Sequence, residues 1–555
     1  MKSVGHSSVM FHGTWAYIHS PSPKLLSTLN PENLTTEALN NALHAASKLT
    51  ITPQMIAPPL ESSLHFEASL KAQITRVVLQ YVARPVDTNV KLYQHSPPVD
   101  PLKPEDPNIA MMKLMIASDN SAQGVGEVFT GLIQQSGLTP AAFHSRLQII
   151  EGDLGSCNLF DSLRKQRAPG VTMESSLDNV LAIPGASHTL WNIAQSIFLA
   201  HWGNEKRSRD TGAWRTLHAL GVPAEKPVTK KDFNLMLSHI EKIHEVTLLY
   251  LTLVVMGKDD RPLDEKLIPL RSDAIKSLVD ITYNRYCSGE ARRSDLATTS
   301  PTFSNMLLRI RDFSTIIEAN RAMRAGDPGR LILMWQRWSV MSQAMPKLPH
   351  YSKHLPKLVL LLQEILPKDL AKIVKSSMLI SPTGRHEHFV ATDFYLEVQN
   401  YWLKYFFNHS GIGTNIERLK DVFSINIPTL RYLLQSLKLE SGCRLVQQSH
   451  KNRLSNLSIN SYLRMARSEN LARPEDHNGF KPEATSDFYA LGIVKLQNQF
   501  RTAGLDNFKP ISPGIMQLNE QNQESNNQMQ AEVEANESGN ELSDQSNESS
   551  EEGSN

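Results

Sequence analysis

The stretch from Arg146 to Leu154 reads RLQIIEGDL, an apolar run that closes on acid, glycine, acid. The spacing predicts a strand over Arg146 to Ile150 and a helix over 156–166. Upstream, Lys113 to Ala117 is a second predicted strand, followed by an amphipathic helix over 124–136 that starts at Gly124. Strand, helix, strand, helix is an α/β passage. Both predicted strands end in carboxylates. The first runs LMIA into Ser118-Asp119-Asn120-Ser121, and the second runs LQII into Glu151-Gly152-Asp153-Leu154. Ligands of open α/β sheets bind beyond the carboxyl ends of the strands. An Asp delivered there suits a divalent cation with oxygen ligands, and Gly152 lets backbone or ligand approach closely. Equally, Asp119 and Asp153 have the chemistry of helix caps.

Outward from this passage the chain is mostly helical. Helices are expected over 65–82, 188–201, 231–256, 303–323, 330–345, 354–376, 393–407 and 428–438, and a further short strand over Thr14 to Ile18. The helix 393–407 reads DFYLEVQNYWLKYFF. Asp393, Glu397, Asn400 and Lys404 share one face at a 3.6-residue period, while Phe394, Leu396, Val398, Tyr401, Trp402, Leu403 and Phe406 cover the rest. A helix this apolar is expected to be buried on most sides. Its two carboxylates one turn apart repel and need a partner or a cation if buried. Asp393 can cap the helix, and Glu397 can pair with Lys404 or a neighbouring Arg.

Three polar breaks interrupt the pattern: the Pro-rich stretch Pro85 to Pro107, the segment Ser288 to Thr302, and the tail 513–555. The tail is Asn, Gln, Glu and Ser with few aliphatic anchors, the composition of a disordered acidic segment. The chain has 57 Lys and Arg against 56 Asp and Glu, a formal +1. Ten of the acids lie between Glu520 and Glu552, and no Lys or Arg follows Lys509, so residues 1–509 carry about +11. That excess is compatible with nucleic acid contact. The expected organisation is an N-terminal helical segment with its Pro-rich loop (1–109), the α/β layer (110–167), a helical region (168–440), a basic helical extension (441–512) and the tail (513–555).

Many function classes are excluded. No apolar run reaches the roughly 18 residues of a spanning helix, and the N-terminus lacks a signal-peptide core. Cys157, Cys287 and Cys443 are odd in number and far apart. They fit neither a disulfide framework nor a cysteine zinc site and place the chain in a reducing compartment, cytosol or nucleus. There is no phosphate loop, dinucleotide fingerprint, nucleophile elbow or His-Glu-x-x-His. His386 and His388 flank Glu387 in what reads as a surface loop. Trp191, Trp202 and Trp214 near Lys206, Arg207, Arg209 and Arg215 can stack on bases or be core residues beside a solvated turn. Lys451, Arg453, Arg464 and Arg467 are candidate phosphate contacts or solvated surface.

Glu151-Gly152-Asp153-Leu154, Leu163-Arg164, His188-x-x-Trp191-Asn192 and Trp202-Gly203 appear in an order that resembles a fungal family, domain of unknown function 6589. Arg324-Ala-Gly-Asp327-x-Gly329-Arg330, Gly384 and Asp393-x-x-x-Glu397-x-x-Asn400-x-x-x-Lys404 continue the resemblance over about residues 10–440. The family has no established activity, and many members look like remnants or passengers of DNA transposons. The Gly-Asp strand end and the late Glu resemble the second and third acids of an RNase H-like transposase with a large helical insertion. The implied catalytic acids are Asp153 and Glu397. The resemblance puts the first acid upstream of the region matching Phe11 to Ile18, so it is expected to be absent here unless Asp119 substitutes for it. Mg²⁺ or Mn²⁺ would be held by Asp153, Glu397 and Asp393. Two-metal phosphoryl transfer needs acids on separate elements to hold ions about 3.5–4 Å apart, so the expectation is an impaired, DNA-binding derivative. The competing expectation is a helical scaffold whose polar stripe is a satisfied structural network. The oligomeric state is not legible.

Overall fold

The computed structural model describes residues 13–510, apart from 169, 171, 225, 227–232, 347, 410–415, 443–453 and 474–480. The tail 513–555, Cys443, Lys451 and Arg453 lie outside the described residues.

RLQII becomes the strand Gln148–Gly152, two residues later than its apolar run suggests. It pairs in parallel with Val180–Pro184, Ile150 opposite Ala182 and Gly152 opposite Pro184. This second strand, VLAIP, escapes the pattern reading, because five apolar residues without alternation fit a buried strand or a helix segment equally. Parallel strands need a crossover, and the helix Leu154–Gln166 belongs to it, capped by Asp153 through a 2.7 Å bond from the Ser156 amide. The helix Ala122–Ser136 packs on the crossover through Val125, Phe129, Phe160 and Leu163, a small core of its own.

The predicted strand 113–117 is displaced. Pairing falls instead on Asn108–Met111, antiparallel to Tyr17–Ser20, with an isolated bridge between Thr14 and Met115. Leu114 and Met115 still go inward, but without a ladder. Trp15 donates its indole N–H to the Met112 carbonyl at 2.7 Å and interrupts the extended run there. Among the described residues the strands form four separate pairs. The α/β layer expected over 110–167 thus takes its parallel partner strand, Val180–Pro184, from beyond that range, and the paired runs are two to five residues long.

The helical body surrounds Pro301–Ala325, which is buried on almost every side. Apolar residues surround most of it, and a buried charge network lies on one side. Asp312 accepts from His201 Nε2 at 2.8 Å and from Arg311 Nε at 2.7 Å, and Arg311 reaches Asp487 at 2.6 Å. Phe233–Val255, whose Val246 to Val254 stretch is apolar, packs beside it. The expected helix 354–376 is two, Pro349–Leu360 and Lys368–Ser377, because Pro367 cannot continue the first. The polar segment Ser288 to Thr302 forms two short capped helices, Gly289–Arg293 and Asp295–Thr299, before Pro301 opens the long one. Residues of 454–508 join the same core. Tyr462 and Phe508 are fully buried in it, and Arg473 pairs with Asp259 at 2.9 Å.

Thr392–His409 forms where the apolar pattern predicts a helix. Leu396, Trp402, Leu403 and Phe406 pack on Phe423 and Ile427 next to the helix Ser424–Glu440. Glu397, Tyr401, Lys404 and Tyr405 are exposed along one face, and the remaining described faces of the helix are buried or half-buried, as its apolar surface predicts.

Candidate functional site: an acidic crevice around His188

The carboxyl ends of the two parallel strands face the start of the helix Thr392–His409. Val180–Pro184 leads through Gly185 into the helix Ala186–Ala200. Gly185 has no side chain to cap that helix, and a Cβ there would lie 2.2 Å from Asp393 Oδ2. The absence of that carbon lets a carboxylate from 200 residues away take the cap. Asp393 Oδ1 accepts from the Ser187 amide at 3.2 Å, and Oδ2 from the His188 amide at 3.0 Å. The same Oδ2 accepts from His188 Nδ1 at 2.9 Å. A carboxylate on the first turn also meets the positive end of the helix dipole.

The other ring nitrogen of His188, Nε2, lies 3.8 Å from Glu397 Oε1, one turn along the Thr392 helix. Burial disfavours the imidazolium, but the Asp393 bond and charge, with Asp153 and Glu397 adding, outweigh it and hold the His188 pKa above its ordinary value. Glu397 therefore faces His188 and stays 47% exposed. Asp153, exposed at the strand end, acts on the same imidazole. Asp119 joins the rim through Ser156, whose hydroxyl donates to Asp119 Oδ2 at 3.2 Å while its amide donates to Asp153. Thus Asp119, Asp153, Asp393 and Glu397, spread over 278 residues of chain, converge around one histidine and one serine.

Beneath them is a carboxyl of a different kind. Glu151 Oε2 accepts from Thr392 Oγ1 at 2.5 Å. Burial first, and the charge of Asp393 second, hold its pKa well above the usual carboxylate range. Tyr17 closes this floor by donating to the Thr392 carbonyl at 2.8 Å, and burial raises its phenol pKa. Tyr351 and Asn192 brace the His188 backbone, at 3.3 and 2.8 Å.

Glu151, Ser156, His188 and Thr392 are the members that residue-by-residue reading passed over. The available signal was the Gly-Ala-Ser-His run directly after VLAIP, a strand-to-helix turn whose opening residue cannot cap.

Oxygen donors of this type suit a hard divalent ion. Yet among the described residues no group of three or more His, Cys, Asp or Glu is arranged to hold one. The donors already serve Ser156, His188 and a helix terminus, so the residues as placed do not fit a pair of divalent ions.

Other candidates find structural employment. Trp202 and Trp214 are buried, which removes them as base-stacking platforms, and Arg209 pairs with Glu469 at 3.5 Å. Trp191 packs between His188 and Phe233, its ring 4.9 and 4.7 Å from theirs. Arg467 donates to the Asp259 carbonyl at 2.8 Å, whereas Arg464 is exposed. His386 and His388 are on an exposed loop. The stretch 324–330 is a clamp. Asp327 caps the helix Pro328–Met341 and accepts from the Val99 and Asp100 amides at 2.8 and 2.9 Å, pinning the Pro-rich loop. Gly326, at φ +69°, makes the turn that leaves room for Phe389.

The chain belongs to a family of unknown function, DUF6589, whose family model matches residues 45–451. No curated protein matches the chain. No solved structure matches it either. Among the described residues no helix is long and apolar enough to cross a membrane.

Proposed function

We propose that this family member is a transposase-derived nucleic-acid-binding protein whose phosphoryl-transfer chemistry is impaired, built on an RNase H-like layer with a large helical insertion. The fungal and transposon-linked origin is part of the same reading. The observation that carries it is the convergence of Asp153, Asp393 and Glu397 on His188 at the carboxyl ends of two parallel strands, with Asp119 tied to Asp153 through Ser156. Strand order supports the layer: an antiparallel pair, a helix, then two parallel strands joined by a helical crossover. Impairment follows from what surrounds the acids. Asp393 is committed to His188 and a helix terminus, and Asp119 and Asp153 each accept a bond from Ser156, whereas an active enzyme of this type commits its acids to Mg²⁺ or Mn²⁺.

The test is supercoiled-plasmid nicking with Mg²⁺ or Mn²⁺, beside DNA binding measured across salt. The expected result is no turnover and binding that weakens steeply with salt as counterions are released. Robust cleavage that Asp153→Ala and Glu397→Ala abolish contradicts the impaired reading.

A second reading, a helical scaffold without a nucleic acid role, is favoured by one observation. Tyr432, Leu433 and Leu437 on Ser424–Glu440 are 68%, 50% and 63% exposed, an apolar face of the kind that docks on protein. Absence of DNA binding at low salt selects it.

A further inference from the structure

Away from the acidic crevice, the helices Leu60–Val77, Phe233–Val255 and Pro301–Ala325 leave a cavity of about 370 Å³ between them. Arg76, Arg321 and Arg324 line it, together with Gln73 and Asn320. Arg330 also reaches it, but its charge is committed: Glu318 accepts from Arg330 Nε at 2.7 Å and from Ser96 Oγ at 2.5 Å. The remaining three guanidiniums face two carboxylates, Glu241 and Glu387. Arg321 donates to Glu241 at 3.2 Å. Burial, and then repulsion from Arg76, lower the Arg321 pKa against the opposing pull of Glu241 and Glu318. Planar guanidinium forks recognise phosphate oxygens with paired hydrogen bonds.

This cavity does not end there. A second one, of about 390 Å³, shares Leu237, Glu241, Asn320, Arg324 and Glu387 with it. Its far wall is aromatic, with Phe233, Phe389 and Phe394. The two cavities therefore adjoin, one lined by cations and the other by aromatics, and Arg324 lines both. Each compartment falls within the roughly 300–1,000 Å³ of small-molecule sites.

We infer that this paired cavity is a nucleotide site: the phosphate sits among Arg76, Arg321 and Arg324, and the base lies against Phe233 and Phe394. The chemistry is that of a 5′-phosphorylated nucleoside, whether free or as one unit of a single strand. Glu387 lines both compartments in a strained backbone conformation, φ +59°. It places a like charge beside the incoming phosphate and so sets affinity downward. The inference stands on these cavities and holds whether or not the acids around His188 ever acted on DNA.

The experiment is equilibrium titration of the full chain with AMP, adenosine and inorganic phosphate. AMP is expected to bind at least about tenfold tighter than either fragment, because each fragment fills one compartment. Arg324→Gln, at an exposed position, should weaken AMP about tenfold with an unchanged circular dichroism spectrum. Glu387→Gln should tighten it, an opposite sign that misfolding cannot imitate. Competition by a short 5′-phosphorylated oligothymidylate separates the sources: displacement of AMP at lower concentration assigns the site to a strand, and weaker displacement assigns it to free nucleotide. AMP binding no tighter than its fragments, or unchanged by both substitutions, overturns the proposal.

Discussion

Replacing Asp393 with alanine removes three bonds at once: those from the Ser187 amide, the His188 amide and the His188 ring. Loss of a helix cap costs about 0.5–2 kcal/mol, and loss of a charge-assisted bond about 1.5–3 kcal/mol. The three share one carboxylate and do not add in full, so the expected cost is about 2–4 kcal/mol. That is a large part of the roughly 5–15 kcal/mol that keeps a domain folded. The cost should depend on pH in a definite sense. His188 has a raised pKa in the folded state, so its contribution is complete below the unfolded pKa and is lost as pH rises through the folded one. Glu151, also raised, partly by Asp393, binds its proton more tightly when folded and likewise stops stabilising as pH rises. Without Asp393 both effects shrink, so Asp393→Ala should be more damaging at pH 6 than at pH 9. Urea unfolding of both proteins at the two pH values, followed by tryptophan fluorescence, reads this, with Trp191 packed on the His188 ring as a local reporter. A cost under about 0.5 kcal/mol, or one that grows toward pH 9, would refute the clamp.

Gly185→Ala should cost about 1–3 kcal/mol by overpacking, since its Cβ would meet Asp393 Oδ2 at 2.2 Å. In the Asp393→Ala background most of that cost should vanish, and a double-mutant cycle in thermal unfolding checks it. Glu151→Gln removes a carboxyl whose ionisation is opposed in the folded state. Relative to the parent, its midpoint should therefore improve steadily as pH climbs from 5 to 9, whereas a flat difference would remove the buried-acid assignment.

Much of this architecture is legible in residue order. The long helices follow from apolar positions recurring every three to four residues, and their starts from Ser, Asp and Pro at the caps. Asp153 stands out because an apolar strand delivers it to a helix start, and Glu397 because it interrupts an aromatic helix. VLAIP stayed invisible because burial on both faces erases alternation, and the strand at 108–111 because packing, not pattern, chose the register. The burial of the Thr392 helix is legible too: its apolar residues pack, and exposure is confined to the face that carries Glu397 and Lys404.

What no local pattern encodes is which distant groups meet. Asp393 has the same cap chemistry whether it serves its own helix or that of Ala186, and only the approach permitted by Gly185 decides for the latter. The fate of each acid follows from its surroundings in space. Burial pushes the Glu151 pKa up under Thr392, while Asp153, two residues on, stays exposed. Chain order sets propensities through short-range sterics, whereas charge, desolvation and partnership are long-range in sequence and fixed only when the elements pack.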